Sequence, residues 1–137
     1  MKTKNKQETA RRCVALVEDD ADFRSIVGRW LQAEYDTVSF GDGEPLLTAG
    51  AEIAPDLIIM DVKLPGLNGY SLCRRIHEQK RFAGVPVLFL TGVDSDEGFL
   101  LGLDAGAASY MAKPVERADL LARVRELIDY RTNTSQN

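Results

Sequence analysis

The sequence predicts an α/β fold, a doubly wound, five-stranded parallel sheet with helices on both faces. Short apolar segments alternate with amphipathic ones along most of the 137 residues, and such alternation is typical of parallel strands joined by right-handed helical crossovers. The first, third and fourth apolar segments are rich in Val, Ile and Leu, as expected for strands covered on both faces. The predicted strands are 13–17, 36–40, 57–60, 85–90 and 107–111.

Five helices are predicted between and after these strands. The first and the last carry apolar residues at helical spacing, over 23–31 and 120–128, so each can pack one face on the sheet. The second opens with Pro45, which suits a first helical turn because its missing N–H is not needed there. These features predict the first, second and last of the five helices.

The third and fourth helices are predicted from their capping residues. The third follows Asn68 and Gly69. The fourth can begin at Asp94, with Glu97 three residues on as in a capping box, and can end near Gly106. The chain therefore repeats the unit of strand and helix five times.

Composition and charge exclude several classes of protein. The net charge of −4 gives no whole-domain footprint for nucleic acid, so we expect no direct nucleic-acid contact. The N-terminal segment lacks the apolar core of a signal peptide, and no apolar run approaches the roughly 18–20 residues that cross a bilayer. Two cysteines and one histidine cannot supply a four-ligand zinc site. We expect a cytoplasmic protein without membrane contact.

The chain is predicted to form one domain with polar ends. Residues 1–11 are predicted to be a flexible N-terminal tail, and residues 132–137 a C-terminal tail or the start of a linker. The folded domain then covers 12–131. Cys13 and Cys73 lie in apolar segments, and we interpret them as small buried hydrophobic residues.

Charged and polar residues follow four of the predicted strands. Glu18–Asp20 come after the first strand, Asp61 after the third, Thr91 after the fourth and Lys113 after the fifth. The functional site of such a sheet lies beyond the carboxyl ends of its strands. Crowded carboxylates are tolerated when a hard cation such as Mg²⁺ joins them, and an ammonium with a hydroxyl suits a phosphoryl group. We interpret Asp61 as a nucleophile that accepts a phosphoryl group.

Four motifs resemble those of a known family. They are "VALVEDD", "PDLIIMDVKLPGLNGY", "VPVLFLTG" and "DAGAASYMAKP". With their order and spacing, residues 12–130 resemble the receiver domain of two-component response regulators. The resemblance implies a flavodoxin-like three-layer sandwich with strand order 2-1-3-4-5.

The resemblance assigns roles to the acidic residues. It implies that Asp61 is the phosphoacceptor and that Asp19 and Asp61 bind Mg²⁺ directly. The backbone carbonyl of Lys63 would be a third protein ligand, and Glu18 would act mostly through a metal-bound water. Asp20 does not match the acid pair, and we interpret it as a solvated loop or helix-capping carboxylate.

The resemblance also assigns the residues that respond to the phosphoryl group. Lys113 would pair with the phosphoacceptor and precede a cis bond to Pro114. Thr91 would be the switch hydroxyl, and Tyr110 the switch aromatic, with a half-exposed tyrosine on an edge strand as the alternative. We call the predicted helix over 94–106, the fifth strand and the last helix together the signalling face.

The implied function is signalling by phosphoryl transfer. The donor would be a sensor histidine kinase or a histidine phosphotransfer protein, because the single histidine, His77, is predicted to be a surface residue at a helix end. Phosphorylation would switch the signalling face, whose helix contains Gly98 and Gly102, to control a downstream protein or output domain. A homodimer through this face is possible. The domain would be no enzyme beyond its own phosphorylation and dephosphorylation, with a hydrolysis rate altered by Lys63.

Three other classes of protein share some of these features. A phosphatase of the haloacid-dehalogenase type needs a second aspartate two residues after the first, where this chain has Lys63. A flavodoxin-like flavin binder needs a hydroxyl-rich phosphate loop after the first strand, where "EDDAD" would repel phosphate. A degenerate receiver that acts by protein contact alone would lack site residues that are present here. Whether the chain acts alone or within a longer protein stays open.

Overall fold

A computed structural model gives the structure of the protein and describes residues 11–49, 52–64, 68–92 and 104–135, with side chains through 132. All five predicted strands are present within these ranges. They are β1 (Cys13–Val17), β2 (Asp36–Phe40), β3 (Leu57–Met60), β4 (Val87–Thr91) and β5 (Ser109–Ala112).

Four α-helices lie in the described part of the chain. Each predicted helix outside 93–103 is found, and a short 3₁₀ turn over Lys80–Phe82 follows the third. The helices are α1 (Ala21–Gln32), α2 (Glu44–Thr48), α3 (Gly69–His77) and α4 (Arg117–Ser135).

The strands form one parallel sheet in the order β2-β1-β3-β4-β5. The doubly wound fold and the strand order implied by the resemblance are therefore confirmed. In the register, Val17 pairs with Phe40 on one side and with Met60 on the other. The carboxyl ends of the three strands on this side of the sheet thus lie level with one another.

Two hydrophobic cores cover the two faces of the sheet. Alternate residues of β1 enter opposite cores, Ala15 and Val17 on one face and Val14 and Leu16 on the other, because successive side chains of a strand point to opposite sides. The first core includes residues of α2 and α3, and the second includes residues of α1 and α4. This arrangement is the predicted three-layer sandwich.

Side-chain caps fix where the helices begin. The Asp20 carboxylate accepts hydrogen bonds from the backbone N–H groups of Asp22 and Phe23 at the start of α1, so its interpretation as a capping residue is confirmed. Asn68 caps α3 by accepting from the Ser71 N–H. Pro45 lies in the first turn of α2, as predicted.

Some boundaries differ from the prediction. β4 begins at Val87 instead of residue 85, because Pro86 has no N–H to donate to the sheet. β5 covers 109–112 instead of 107–111. Helix α4 continues through Ser135, so residues 132–135, predicted to be tail or linker, are helical. Neither Gly nor Pro interrupts this stretch, and each added residue extends the helical hydrogen bonding.

The last helix and the first strand meet at Asp56. Its carboxylate accepts a hydrogen bond from Arg131 at 2.9 Å and another from the Cys13 N–H at 2.8 Å, and Arg12 lies 3.7 Å away. Arg11, predicted to belong to the flexible tail, donates to the Tyr35 carbonyl at 2.8 Å. These contacts tie the start of β1 and the end of α4 to the amino edge of the sheet.

His77 was wrongly predicted to be a surface residue. It is half-buried at the end of α3, with Nε2 3.0 Å from the Val85 carbonyl. Its polar neighbours in sequence gave no sign of this, because the contact comes from the segment that enters β4. Cys73 is buried as predicted, and Cys13 is only partly buried.

The fourth predicted helix lies almost wholly outside the described residues, as do Pro65 and Gly66 of the loop after β3. Asp104 is helical, and Gly106 has a φ of +97°. This left-handed conformation is typical of the residue that follows a helix, which agrees with the predicted helix end.

Gly69 permits the close approach of α3 to the end of β3. A Cβ at this position would collide with the Asp61 carbonyl oxygen and lie 2.8 Å from the Val62 Cα. In contrast, a Cβ at Gly28 in the middle of α1 would meet nothing closer than the Ser39 Oγ at 3.9 Å. The two glycines therefore differ in whether the fold needs them.

We expect Gly69→Ala to lower the free energy of unfolding by about 1–3 kcal/mol, because backbone atoms would have to move. Gly28→Ala should raise it by about 0.5–1 kcal/mol, since alanine is the better helix former. Urea denaturation followed by circular dichroism measures both. Equal effects of the two substitutions would contradict the close packing of α3 on β3.

Candidate functional site

Backbone hydrogen bonds continue the sheet beyond the ends of its strands. The Glu18 N–H donates to the Phe40 carbonyl at 2.9 Å, and the Asp61 N–H donates to the Val17 carbonyl at 3.2 Å. On the far side, the Lys113 N–H donates to the Thr91 carbonyl at 2.8 Å. The residues predicted to form a site are thereby held at one edge of the sheet.

Three carboxylates cluster at this edge. Glu18, Asp19 and Asp61 each offer an oxygen atom, and these atoms lie within 4.8 Å of one another. Glu18 and Asp61 are only 2% and 8% exposed, whereas Asp19 is exposed. Oxygen donors of this kind suit a hard divalent cation, which could reach them from the side of Asp19.

Lys113 contacts the two buried carboxylates at once. Its Nζ donates to Glu18 Oε1 and to Asp61 Oδ2, each at 2.9 Å. It also lies 4.4 Å from the centroid of the Phe23 ring. The bond between Lys113 and Pro114 is cis, as the resemblance implied. A single ammonium therefore balances part of the negative charge of the cluster.

The remaining carboxylate oxygens accept bonds from the backbone. The Lys63 N–H donates to Asp61 Oδ1 at 3.3 Å, and the Asp20 N–H donates to Glu18 Oε2 at 3.1 Å. The Arg24 guanidinium also donates to the Glu18 carbonyl at 2.6 Å. The two bonds from backbone N–H groups help to orient the carboxylates of Asp61 and Glu18.

The protonation equilibria of the two buried acids differ. Burial raises the pKa of Asp61, but hydrogen bonds from Lys113 and Thr91 outweigh it and bring the pKa below its ordinary value. Burial also raises the pKa of Glu18, and there the bond from Lys113 compensates only in part, so the pKa stays above its ordinary value. Asp61 is therefore ionised at neutral pH.

The pKa of Lys113 reflects the same contacts. Burial alone would lower this pKa, but the hydrogen bonds to Glu18 and Asp61 raise it above its ordinary value. The ammonium is thus charged at neutral pH, as binding of an anionic group requires.

The two predicted switch residues occupy neighbouring strands. Thr91 is fully buried at the end of β4, where its hydroxyl hydrogen-bonds to Asp61. Tyr110 lies on the edge strand β5 opposite Phe89, is half-buried and packs against the core on the α2 and α3 face. Thr91 thus belongs to the site, while Tyr110 lies on the strand beside it.

Two contacts at the site were not predicted from the sequence, that of Phe23 with Lys113 and that of Arg24 with the Glu18 carbonyl. The sequence placed Phe23 only on the apolar face of the first helix, and it gave Arg24 no role. The signal available was their position, three and four residues after Asp20, directly behind the acidic loop. This position alone does not distinguish a residue that contacts the site from one that only packs on the sheet or faces solvent.

The profile of the response regulator receiver domain matches residues 14–125. This match covers most of the chain, and the chain therefore belongs to the family of response regulator receiver domains. The resemblance stated from the motifs is confirmed.

Similar proteins include whole response regulators and single receiver domains. The DNA-binding response regulator MtrA of Mycobacterium tuberculosis is 39% identical over 119 residues, covering 86% of this chain and 51% of MtrA. DrrB, a Thermotoga maritima OmpR/PhoB homologue, is 34% identical with a TM-score of 0.79 over 88% of this chain and 54% of DrrB. The chain spans about half the length of the curated relatives it matches first.

A second similar structure is a receiver domain with a bound metal. The receiver domain of the sensor histidine kinase PA1611 from Pseudomonas aeruginosa is 30% identical, with a TM-score of 0.80 over 88% of this chain and 99% of that domain. It has a magnesium ion coordinated in its active site cleft.

The expectation of no direct nucleic-acid contact is contradicted by these comparisons. MtrA is a DNA-binding response regulator, and the match covers only about half of it. The expectation was wrong because the net charge of one domain carries no information about the rest of a longer polypeptide.

Among the described residues, no helix is both long and apolar enough to span a membrane.

We expect Glu18→Gln to raise the free energy of unfolding when no divalent metal is present. Folding raises the pKa of Glu18, so its ionised form costs stability above that pKa. The gain should shrink as the pH falls toward the ordinary value of 4.5, because Glu18 becomes protonated in both states. Urea denaturation in chelator from about pH 4 to about pH 8 measures the difference.

Asp129→Asn is the matched control, since Asp129 is exposed on α4. It should show no comparable pH-dependent gain. A Glu18→Gln variant less stable than the wild type at neutral pH in chelator would contradict the unfavourable charge of Glu18.

Proposed function

We propose that Asp61 accepts a phosphoryl group from a histidine of a partner protein in a Mg²⁺-dependent reaction. The observation that carries this proposal is the contact of Lys113 with both Glu18 and Asp61 inside a cluster of three carboxylates. The donor is a sensor histidine kinase or a histidine phosphotransfer protein, and the proposed location is the cytoplasm. Half-buried His77 cannot serve as the donor, because it lies at the end of α3 against the entry to β4.

Asp19 and Asp61 would hold the metal ion directly, with the Lys63 carbonyl as a further ligand. Glu18, whose carboxylate lies in the same cluster, would act mostly through a metal-bound water. When bound, Mg²⁺ supplies positive charge to the transferred group and to the crowded acids. The receiver domain of PA1611, with its magnesium ion, supports this choice of metal.

The chain's own residues provide the nucleophile and the charge balance. A carboxylate oxygen of Asp61 attacks phosphorus, forming the new O–P bond. The N–P bond of the phosphohistidine breaks, and its electron pair returns to the imidazole nitrogen. Lys113, already 2.9 Å from Asp61, donates to an oxygen of the transferred group. Preorganised donors of this kind stabilise the charge of phosphoryl transfer.

Phosphorylation would be transmitted through the switch residues. The Thr91 hydroxyl, which bonds to Asp61 in this structure, would turn to a phosphoryl oxygen, and Tyr110 would follow. The signalling face then changes its contacts with an output. We propose a DNA-binding output, because MtrA is a DNA-binding response regulator.

Amide hydrogen exchange over 109–112, in β5, should change on phosphorylation. Unchanged exchange there would exclude the signalling face as the part of the domain that responds.

Acetyl phosphate with Mg²⁺ should add one phosphoryl group to the wild-type protein, detected by intact mass spectrometry. Asp61→Asn should abolish the addition because the nucleophile is lost. Asp129→Asn, an exposed change of the same type on α4, should leave it intact.

A chelator should prevent the addition to the wild-type protein. An added phosphoryl mass on the Asp61→Asn variant would refute the proposed reaction. Full phosphorylation of the wild-type protein in chelator would refute it as well.

We expect Lys63→Ala to shorten the lifetime of the phosphoryl group severalfold. The Lys63 side chain is exposed, two residues after Asp61, so it can shield the acyl phosphate from attacking water. Loss of the phosphorylated mass after donor removal gives the rate, with Lys80→Ala, an exposed lysine of the 3₁₀ turn, as the control. An unchanged lifetime would remove Lys63 from the mechanism.

A further inference from the structure

Lys113 has an aromatic neighbour that the phosphoryl-transfer scheme does not use. The Phe23 ring lies under the ammonium, with Nζ 4.4 Å from the ring centroid. Phe23 belongs to the first turn of α1, and Lys113 follows β5, so distant parts of the chain make this contact. Such a cation–π interaction is stronger when the cation is shielded from water, and the Lys113 side chain is only 22% exposed.

The other contacts of Lys113 are those that the proposed reaction alters. Asp61 Oδ2 and Glu18 Oε1 each accept from Nζ at 2.9 Å. Asp61 loses its carboxylate charge when it becomes an acyl phosphate, and both acids are proposed to share their charge with Mg²⁺. The ring of Phe23 is uncharged and takes no part in these changes of charge.

We propose that Phe23 is a positioning residue that holds the Lys113 ammonium over Asp61 through the face of its aromatic ring. This inference rests on the proposed phosphorylation of Asp61. Packing alone gives no reason for an aromatic residue, because Phe23 is half-buried at the margin of the core on the α1 and α4 face. A leucine would be apolar too, but it would lack a π-system.

A series of fluorinated phenylalanines at position 23 distinguishes the effect of the π-electrons of the ring from the effect of its size and shape. Fluorination progressively weakens attraction for a cation while changing the packing little. The rate of phosphorylation by acetyl phosphate with Mg²⁺ should fall stepwise with fluorine content, by about threefold to tenfold at the end of the series. Phe23→Leu should match the most fluorinated ring, and Phe23→Trp should keep a rate near that of the wild type.

A second measurement needs neither metal nor phosphoryl donor. In a double-mutant cycle of Phe23→Leu and Lys113→Met, the unfolding equilibrium constants in chelator should be non-additive by about threefold to tenfold. Lys113→Met keeps most of the apolar stem and removes the charge. Phe82, whose ring lies near Arg81, provides an unrelated aromatic position, and Phe82→Leu with Lys113→Met should be additive.

The outcomes distinguish this inference from the proposed function. A graded loss of rate together with a non-additive cycle supports the positioning role. A slow Phe23→Leu variant with a flat fluorinated series shows that Phe23 only fills space, and it overturns the inference while phosphorylation stands. An additive cycle overturns it whether or not the wild type is phosphorylated. Failure of the wild type to take up a phosphoryl group instead refutes the proposed function.

Discussion

The crowding of negative charge around one ammonium is the constraint on which the structure of the site depends. Carboxylates this close repel one another by roughly 1–4 kcal/mol per pair near a surface. Lys113 offsets part of this repulsion by bonding to Glu18 and Asp61 together. Burial nevertheless keeps the pKa of Glu18 above its ordinary value, and the charge of Asp61 raises it to a smaller extent. A cation bound at this edge would offset more of the repulsion.

The fold brings these groups together by means that have little to do with charge. The level register of β2, β1 and β3 and the backbone bonds beyond the strand ends set Glu18 and Asp61 side by side. Gly69 then lets α3 start directly against the Asp61 carbonyl. Apolar packing on both faces stabilises this sheet. Burial of the two hydrophobic cores therefore offsets the unfavourable free energy of placing several carboxylates together at the carboxyl edge.

The local sequence pattern was sufficient to predict the strands, the described helices and most of the residues that meet at the carboxyl edge of the sheet. Apolar runs located all five strands, and the acids after them were found together because parallel strands end at one edge. The contact of Phe23 with Lys113 and the burial of His77 were not predictable, since each depends on a partner far along the chain. The nucleic-acid expectation was wrong because the net charge of one domain carries no information about the half of MtrA that this chain does not match.

The anchoring of α4 at Asp56 has a mechanical consequence. This helix has 19 residues and is about 28 Å long. It starts shortly after Lys113 at the carboxyl edge, and Arg131 near its other end is fastened to Asp56 at the amino edge. Leu120, Leu121 and Val124 bury the first half of the helix in the core as well. The helix is therefore held at both ends, and it joins the carboxyl edge of the sheet to the amino edge as a brace.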